Sequence, residues 1–147
     1  MGRRSGYLAE RTDITMVIVD TTVWVDFFSG KASAEVQMLE RFLIEGKDIC
    51  ICGVILTEVL QGIREDTDYT KTLSRFDSFL FLDMDRRIFI KAAQLYRTLR
   101  RRGIRIRKPV DCMIAAVAIE HNVPLLHTDR DFDPIEKFCG LKVVKNA

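Results

Sequence analysis

A chain of 147 residues with 48% hydrophobic and 30% charged residues has the composition of one ordinary folded domain, which at this length needs neither disulfide nor metal to hold a core. The net charge of +2 names no partner by itself, so charge has to be read locally. Four cysteines without a C-x-x-C pair argue against a zinc site; Cys50 and Cys52, in the apolar run DICICGVIL, read as buried free thiols suited to a reducing cytoplasm.

Residues 1–15, MGRRSGYLAERTDIT, lack the apolar centre of a signal peptide, and Gly6 stands where an N-myristoylation pattern requires Ser or Thr. They read as a flexible extension before a single domain over 16–147. No apolar run approaches the roughly 20 residues of a membrane span, so no membrane association is expected. MVIVD (16–20) reads as a first strand, followed by TTVWVDFF and SAEVQMLERFLIEG as helices. The second helix carries Val36, Leu39, Phe42 and Leu43 on one face and stops at Gly46. DICIC (48–52) is a second strand, VILTEVLQGI a helix, TKTLSRFDSF a helical continuation and LFLDM (80–84) a third strand.

Asp85 reads as the N-cap of a long helix through Arg102, and another helix starts after Pro109. PLLHT (124–128), a short helix near 132–138 and LKVVK (141–145) complete the chain. The alternation predicts an α/β fold of three layers, α/β/α, around a largely parallel sheet of about five strands.

In such a sheet all parallel strands end at one edge, where the crossover helices begin and ligands bind. Asp20 ends the first strand, Asp111 occupies the first turn of DCMIAAVAIE, and Asp129 follows the fourth strand. Glu58 lies one to two turns into the helix after the second strand, on the flank of its apolar face, with Gly62 leaving room one turn on. Singly, each acid has a structural use: an Asx turn for Asp20, a helix N-terminal charge for Asp111, a solvated helix position for Glu58. Four at one edge repel one another and must either take up protons or bind cations. All-oxygen ligands suit Mg²⁺ or Mn²⁺.

From Arg86 to Val110 there is no Asp or Glu, and RRRGIRIRK places Arg100, Arg101, Arg102, Arg105, Arg107 and Lys108 just before Asp111. Such a run can contact nucleic-acid phosphates without reading sequence, although Arg100 to Arg102 also suit a helix C-terminus. Two histidines, His121 and His127, have no convincing nucleophile partner. DRDFDP (129–134) fails as a calcium loop because Pro134 replaces the required Gly. Trp24, Phe27 and Phe28 could stack on bases, but their helical spacing favours core packing. A phosphoacceptor receiver domain with Asp83 as acceptor is a weaker alternative, since Thr21 and Thr22 follow Asp20 where that site needs a second acid.

VIVDTTVWVDFF, TEVLQGI and KPVDCMIAAVAIEHNVPLLHTDRDFDPI resemble the PIN-domain ribonucleases, in particular the VapC-like toxins of toxin–antitoxin pairs, from about Met16 to Val144. The resemblance implies a Mg²⁺- or Mn²⁺-dependent endoribonuclease with Asp20, Glu58, Asp111 and Asp129 as the acidic quartet. Asp20, Asp111 and Asp129 would hold metal, and Glu58 would complete the cage or position the attacking water. Thr22 sits where the family often has a Ser or Thr that supports the site, and Asp131 would join the acids or, as favoured here, cap the next helix. The resemblance further implies an RNA substrate, a cognate antitoxin and a homodimer, with the apolar faces near 33–45 and 54–63 as contact candidates. The remaining alternative is a PIN-like scaffold that binds nucleic acid or protein without catalysis.

Overall fold

The computed structural model describes residues 14–145, so most of the predicted extension lies outside the described residues. Within them Ile14 is buried, and the Thr15 carbonyl accepts the Asp48 N–H at 2.9 Å. Strands β1 (Met16–Val19), β2 (Asp48–Cys52), β3 (Leu80–Leu82) and β4 (Leu125–Leu126) alternate with seven helices. These are α1 (Thr21–Phe28), α2 (Ala34–Ile44), α3 (Gly53–Gln61), α4 (Asp66–Phe76), α5 (Arg86–Arg101), α6 (Pro109–His121) and α7 (Asp133–Cys139). All pairings are parallel, in the order β3-β2-β1-β4.

The first two crossovers run from β1 outward to β3. The third returns past β1 to β4. Right-handed crossovers therefore put α1 to α4 on one face and α5 and α6 on the other, with the point of reversal between β1 and β4. Both faces of the sheet are covered, which is why Val17, Ile18, Val19, Ile49, Ile51, Leu125 and Leu126 are all buried. The central α6 is buried nearly all round, and Ala115, Ala116 and Ala118 let neighbouring elements approach closely. Pro109 opens this helix, and Asn122, in the left-handed region at φ 55°, ends it.

The predicted fifth strand over 141–145 is reduced to one parallel bridge, Leu125 to Val143, because β4 offers only two paired residues. α4 begins at Asp66, earlier than expected, and Asp85 caps α5 by accepting the Ile88 N–H at 3.3 Å. Gly62 is the C-cap of α3. Val36, Leu39 and Phe42 of α2 and Ile55 and Val59 of α3 are buried in the chain's own core, while Ile44 of α2 stays exposed. Trp24 is likewise fully buried, with Phe28 and Phe79 stacked near it at centroid distances of 5.9 and 5.4 Å, so it does not offer a base-stacking surface.

Cys50, Cys52 and Cys112 are buried free thiols. Burial pushes Cys50 and Cys112 up to about 11, which leaves them protonated and inert. Among the described residues no helix is long and apolar enough to cross a membrane.

Candidate active site

The reversal point between β1 and β4 gathers the acids. Asp20 leaves β1 as the N-cap of α1: its Oδ2 accepts the Thr22 backbone N–H at 3.1 Å and the Thr22 hydroxyl at 2.6 Å. The Thr22 hydroxyl also accepts the Thr128 N–H at 3.4 Å, tying α1 to the segment after β4. The Asx-type geometry is therefore real, but it does not exhaust the residue. Asp20 is only 2% exposed, and burial pushes its pKa up against both hydrogen bonds from Thr22, with the Glu58 charge adding to the rise. Glu58 is oriented across the gap by the Thr21 hydroxyl, which donates to its Oε1 at 2.6 Å.

Asp111 stands in the first turn of α6, where the helix N-terminus favours negative charge. Burial outweighs that help. At 4% exposure its pKa is pushed from 3.8 up to about 7; Lys108 opposes the rise, and the charges of Asp129, Asp20 and Asp131 add to it. Its Oδ2 is buried without a hydrogen-bond partner among the described residues. A buried, unpartnered carboxylate oxygen is costly unless something binds it.

Asp129 is the N-cap of a 3-10 turn, Arg130–Phe132, and its Oδ1 accepts the Asp131 N–H at 2.9 Å. Burial pushes its pKa up, but the hydrogen bonds from Lys108 and Asp131 and the charges of Lys108 and Arg107 hold it below the usual carboxylate value. Capping thus belongs to Asp129 and not to Asp131. The next helix, α7, has no side-chain cap, and Asp131 turns toward the acids instead. Asp111, Asp129 and Asp131 each offer a carboxylate oxygen within 4.8 Å of the others. Asp20 borders this trio through its charge on Asp111, and Glu58 acts in turn on Asp20.

The basic run divides. Arg107 Nη2 lies 3.1 Å from Asp131 Oδ2, and Lys108 Nζ donates to Asp129 Oδ2 at 2.7 Å with Asp111 Oδ2 3.9 Å away. These two cations pair with the acids in the structure. Arg100, Arg101, Arg102 and Arg105 remain on the surface. Arg101 also borders a groove of about 410 Å³ between α5 and α7, lined further by Lys91, Arg97 and Phe138.

Sequence reasoning missed Thr21 as the orienting partner of Glu58, and missed the inward turn of Lys108. The latter had a signal: Lys108 stands three positions before Asp111 across a helix start. His127 Nδ1 accepts the Asp129 N–H at 3.2 Å, and burial lowers its pKa, so the ring is a neutral support for the loop and not a charged base. Asp83 is exposed and stands outside the acidic trio, which removes the receiver alternative.

The donor set is all oxygen, crowded and partly unpaired, and it fits a hard divalent ion. Comparison with known proteins gives the family. The PIN domain family matches residues 17–137. The chain is 38% identical over 130 residues to the VapC ribonuclease Mb1587 of Mycobacterium bovis, covering 86% of this chain and 96% of that one. It is 30% identical over 129 residues to ribonuclease VapC1 of Methanocaldococcus jannaschii, covering 86% and 85%.

In fold it is similar to VapBC2 of Rickettsia felis, solved bound to promoter DNA, with TM-score 0.69, 20% identity and 90% and 98% of the two chains covered. VapBC-5 of Mycobacterium tuberculosis, from the VapBC family of toxin–antitoxin systems, gives TM-score 0.65 at 21% identity over 90% and 99%. A parallel sheet that collects buried acids at its point of reversal, matched along nearly the whole domain, makes this chain a VapC-like member of the PIN-domain family.

Proposed function

We propose that the protein is a divalent-metal-dependent endoribonuclease and acts as the toxin of a toxin–antitoxin pair. The observation that carries this is the buried Asp111 carboxylate with an unpartnered oxygen, set among Asp129, Asp131 and Asp20. Asp111 and Asp129, with Asp20 or Asp131, would hold Mg²⁺ or Mn²⁺. Bound there, the ion supplies Lewis-acid stabilisation of a phosphate and lowers the pKa of a water.

The chain's own groups do the rest. Thr22 fixes the Asp20 carboxylate, and Thr21 fixes Glu58 through one oxygen, leaving the other to position the attacking water. Attack by water does not use the substrate's 2′-hydroxyl, so the products carry 5′-phosphate and 3′-hydroxyl ends. Arg100, Arg101, Arg102 and Arg105, with Lys91 and Arg97 along the α5–α7 groove, supply phosphate contacts that read no base. The relatives' names support an RNA substrate and the VapBC complexes an antitoxin partner; a homodimer and a cytoplasmic location rest on the family resemblance.

The test is cleavage of RNA by the purified chain with Mg²⁺ or Mn²⁺, beside Asp20→Asn and Asp111→Asn. Removing either carboxylate should lower the rate by about 100-fold or more, and sequencing the cut ends should return 5′-phosphates. Equal activity in all three proteins would leave a PIN-like binding module as the surviving explanation.

A further inference from the structure

Lys108 occupies a place that the metal reading reserves for an ion. Its Nζ lies 2.7 Å from Asp129 Oδ2 and 3.9 Å from Asp111 Oδ2, the same buried oxygen that has no hydrogen-bond partner. Its backbone is held: φ −119° and ψ 101° are the extended values imposed before Pro109, and its carbonyl accepts the Asp111 N–H at 2.9 Å. Only the four-carbon stem is free, and the side chain is 48% exposed. The ammonium sits against the acids on a stem that solvent can reach.

A divalent ion bound to Asp129 or Asp111 takes their oxygens at about 2.0–2.2 Å and repels a cation beside it. With Lys108 Nζ at 2.7 Å from Asp129 Oδ2, an ion on the same carboxylate and the ammonium each weaken the other's hold.

We propose that Lys108 is a tethered counter-ion that exchanges with the divalent ion. It neutralises Asp129 and Asp111 in the ion-free protein and is released to the substrate phosphate when the ion binds. Arg107 does not duplicate this part, since its planar guanidinium is engaged with Asp131 through Nε and Nη2 at 3.3 and 3.1 Å. Lys108 contributes a mobile point charge, which suits exchange. Its place at the start of α6, three residues from Asp111, keeps the released ammonium at the mouth of the site. A phosphate bound there is then the nearest anion left without a partner. Lys108 thus opposes the ion in the free protein and supports the substrate in the loaded one.

The inference rests on the acids binding a divalent ion, and its test separates the two claims. Mn²⁺ binding to the full chain is measured by the electron paramagnetic resonance signal of the free ion, for wild type, Lys108→Met and Lys31→Met. Lys31→Met removes the same charge from an exposed loop on the far side of α1. Lys108→Met should bind Mn²⁺ up to about 5-fold more tightly than wild type, the scale of one part-exposed ion pair, while Lys31→Met stays at the wild-type value. At saturating Mn²⁺, Lys108→Met should bind a single-stranded RNA more weakly than wild type. Opposite signs on the two affinities are the signature of exchange, and a merely structural lysine would not produce them. Unchanged or weaker Mn²⁺ binding by Lys108→Met overturns the exchange and leaves the metal site standing, as does equal tightening by Lys31→Met. Undiminished RNA binding overturns the release to phosphate. Absence of Mn²⁺ binding in all three proteins overturns both the exchange and the metal site.

Discussion

Replacing Asp111 by Asn should stabilise the ion-free protein at alkaline pH while abolishing its response to metal. Burial first, and the Asp129, Asp20 and Asp131 charges after it, raise the Asp111 pKa from 3.8 to about 7. Between those values the native state holds a proton that the unfolded chain has released. Stability therefore falls as pH climbs from about 4 to about 7 and stays low above that. At about 1.4 kcal/mol per pH unit the interval is worth about 4 kcal/mol, an upper bound because native carboxylates relax toward water or Lys108.

Asn keeps the shape, cannot ionise, and brings an amide that can donate to the surrounding carboxylates. A gain of about 1–3 kcal/mol at pH 8 follows, or about 3–9 °C in Tm for a chain of this size, with little difference at pH 5. Thermal melts of both proteins in chelator at the two pH values measure it, and Mg²⁺ at pH 8 should then raise Tm of the wild type alone. A gap of the same size at both pH values, or a variant that melts lower at pH 8, would refute the account of Asp111.

Thr22→Val removes the hydroxyl that donates to Asp20 and should cost about 1.5–3 kcal/mol in urea denaturation while moving the acidic limb of the pH–rate profile upward. Thr22→Ser should preserve both. Trp24→Ala should cost about 3–5 kcal/mol by circular dichroism, since the ring is fully buried among phenylalanines, and Trp24→Phe much less; a loss under about 1 kcal/mol for Ala would contradict its place in the core. His127, its pKa lowered by burial, should titrate below the ordinary imidazole value when followed by nitrogen chemical shifts. It then contributes stability that is present above pH 6.5 and lost as pH falls through its folded pKa.

Much of this was legible in the chain because it is locally encoded. Strand and helix alternate with their own periodicities. Asp85 caps its helix from three residues away, Pro109 opens α6, and Asp20 sits at a strand end whatever surrounds it. Parallel topology then brings Asp20, Glu58, Asp111 and Asp129 to one edge without any knowledge of side-chain contacts.

What the sequence left open were choices among several partners within reach of one group, and distance across the fold makes those. Asp131 could cap or join the acids; the 3-10 turn let Asp129 cap, and Arg107, 24 positions earlier, drew Asp131 into the site. Lys108 could face solvent or carboxylate, and Asp129, 21 positions later, holds it inward. Thr21 meets Glu58 across 37 positions, and the fifth strand shrinks to a bridge because its neighbour is two residues long. Chain pattern determines which backbone forms where; only packing decides which charge meets which, because electrostatic pairing depends on ångströms of separation and on burial that no single segment possesses.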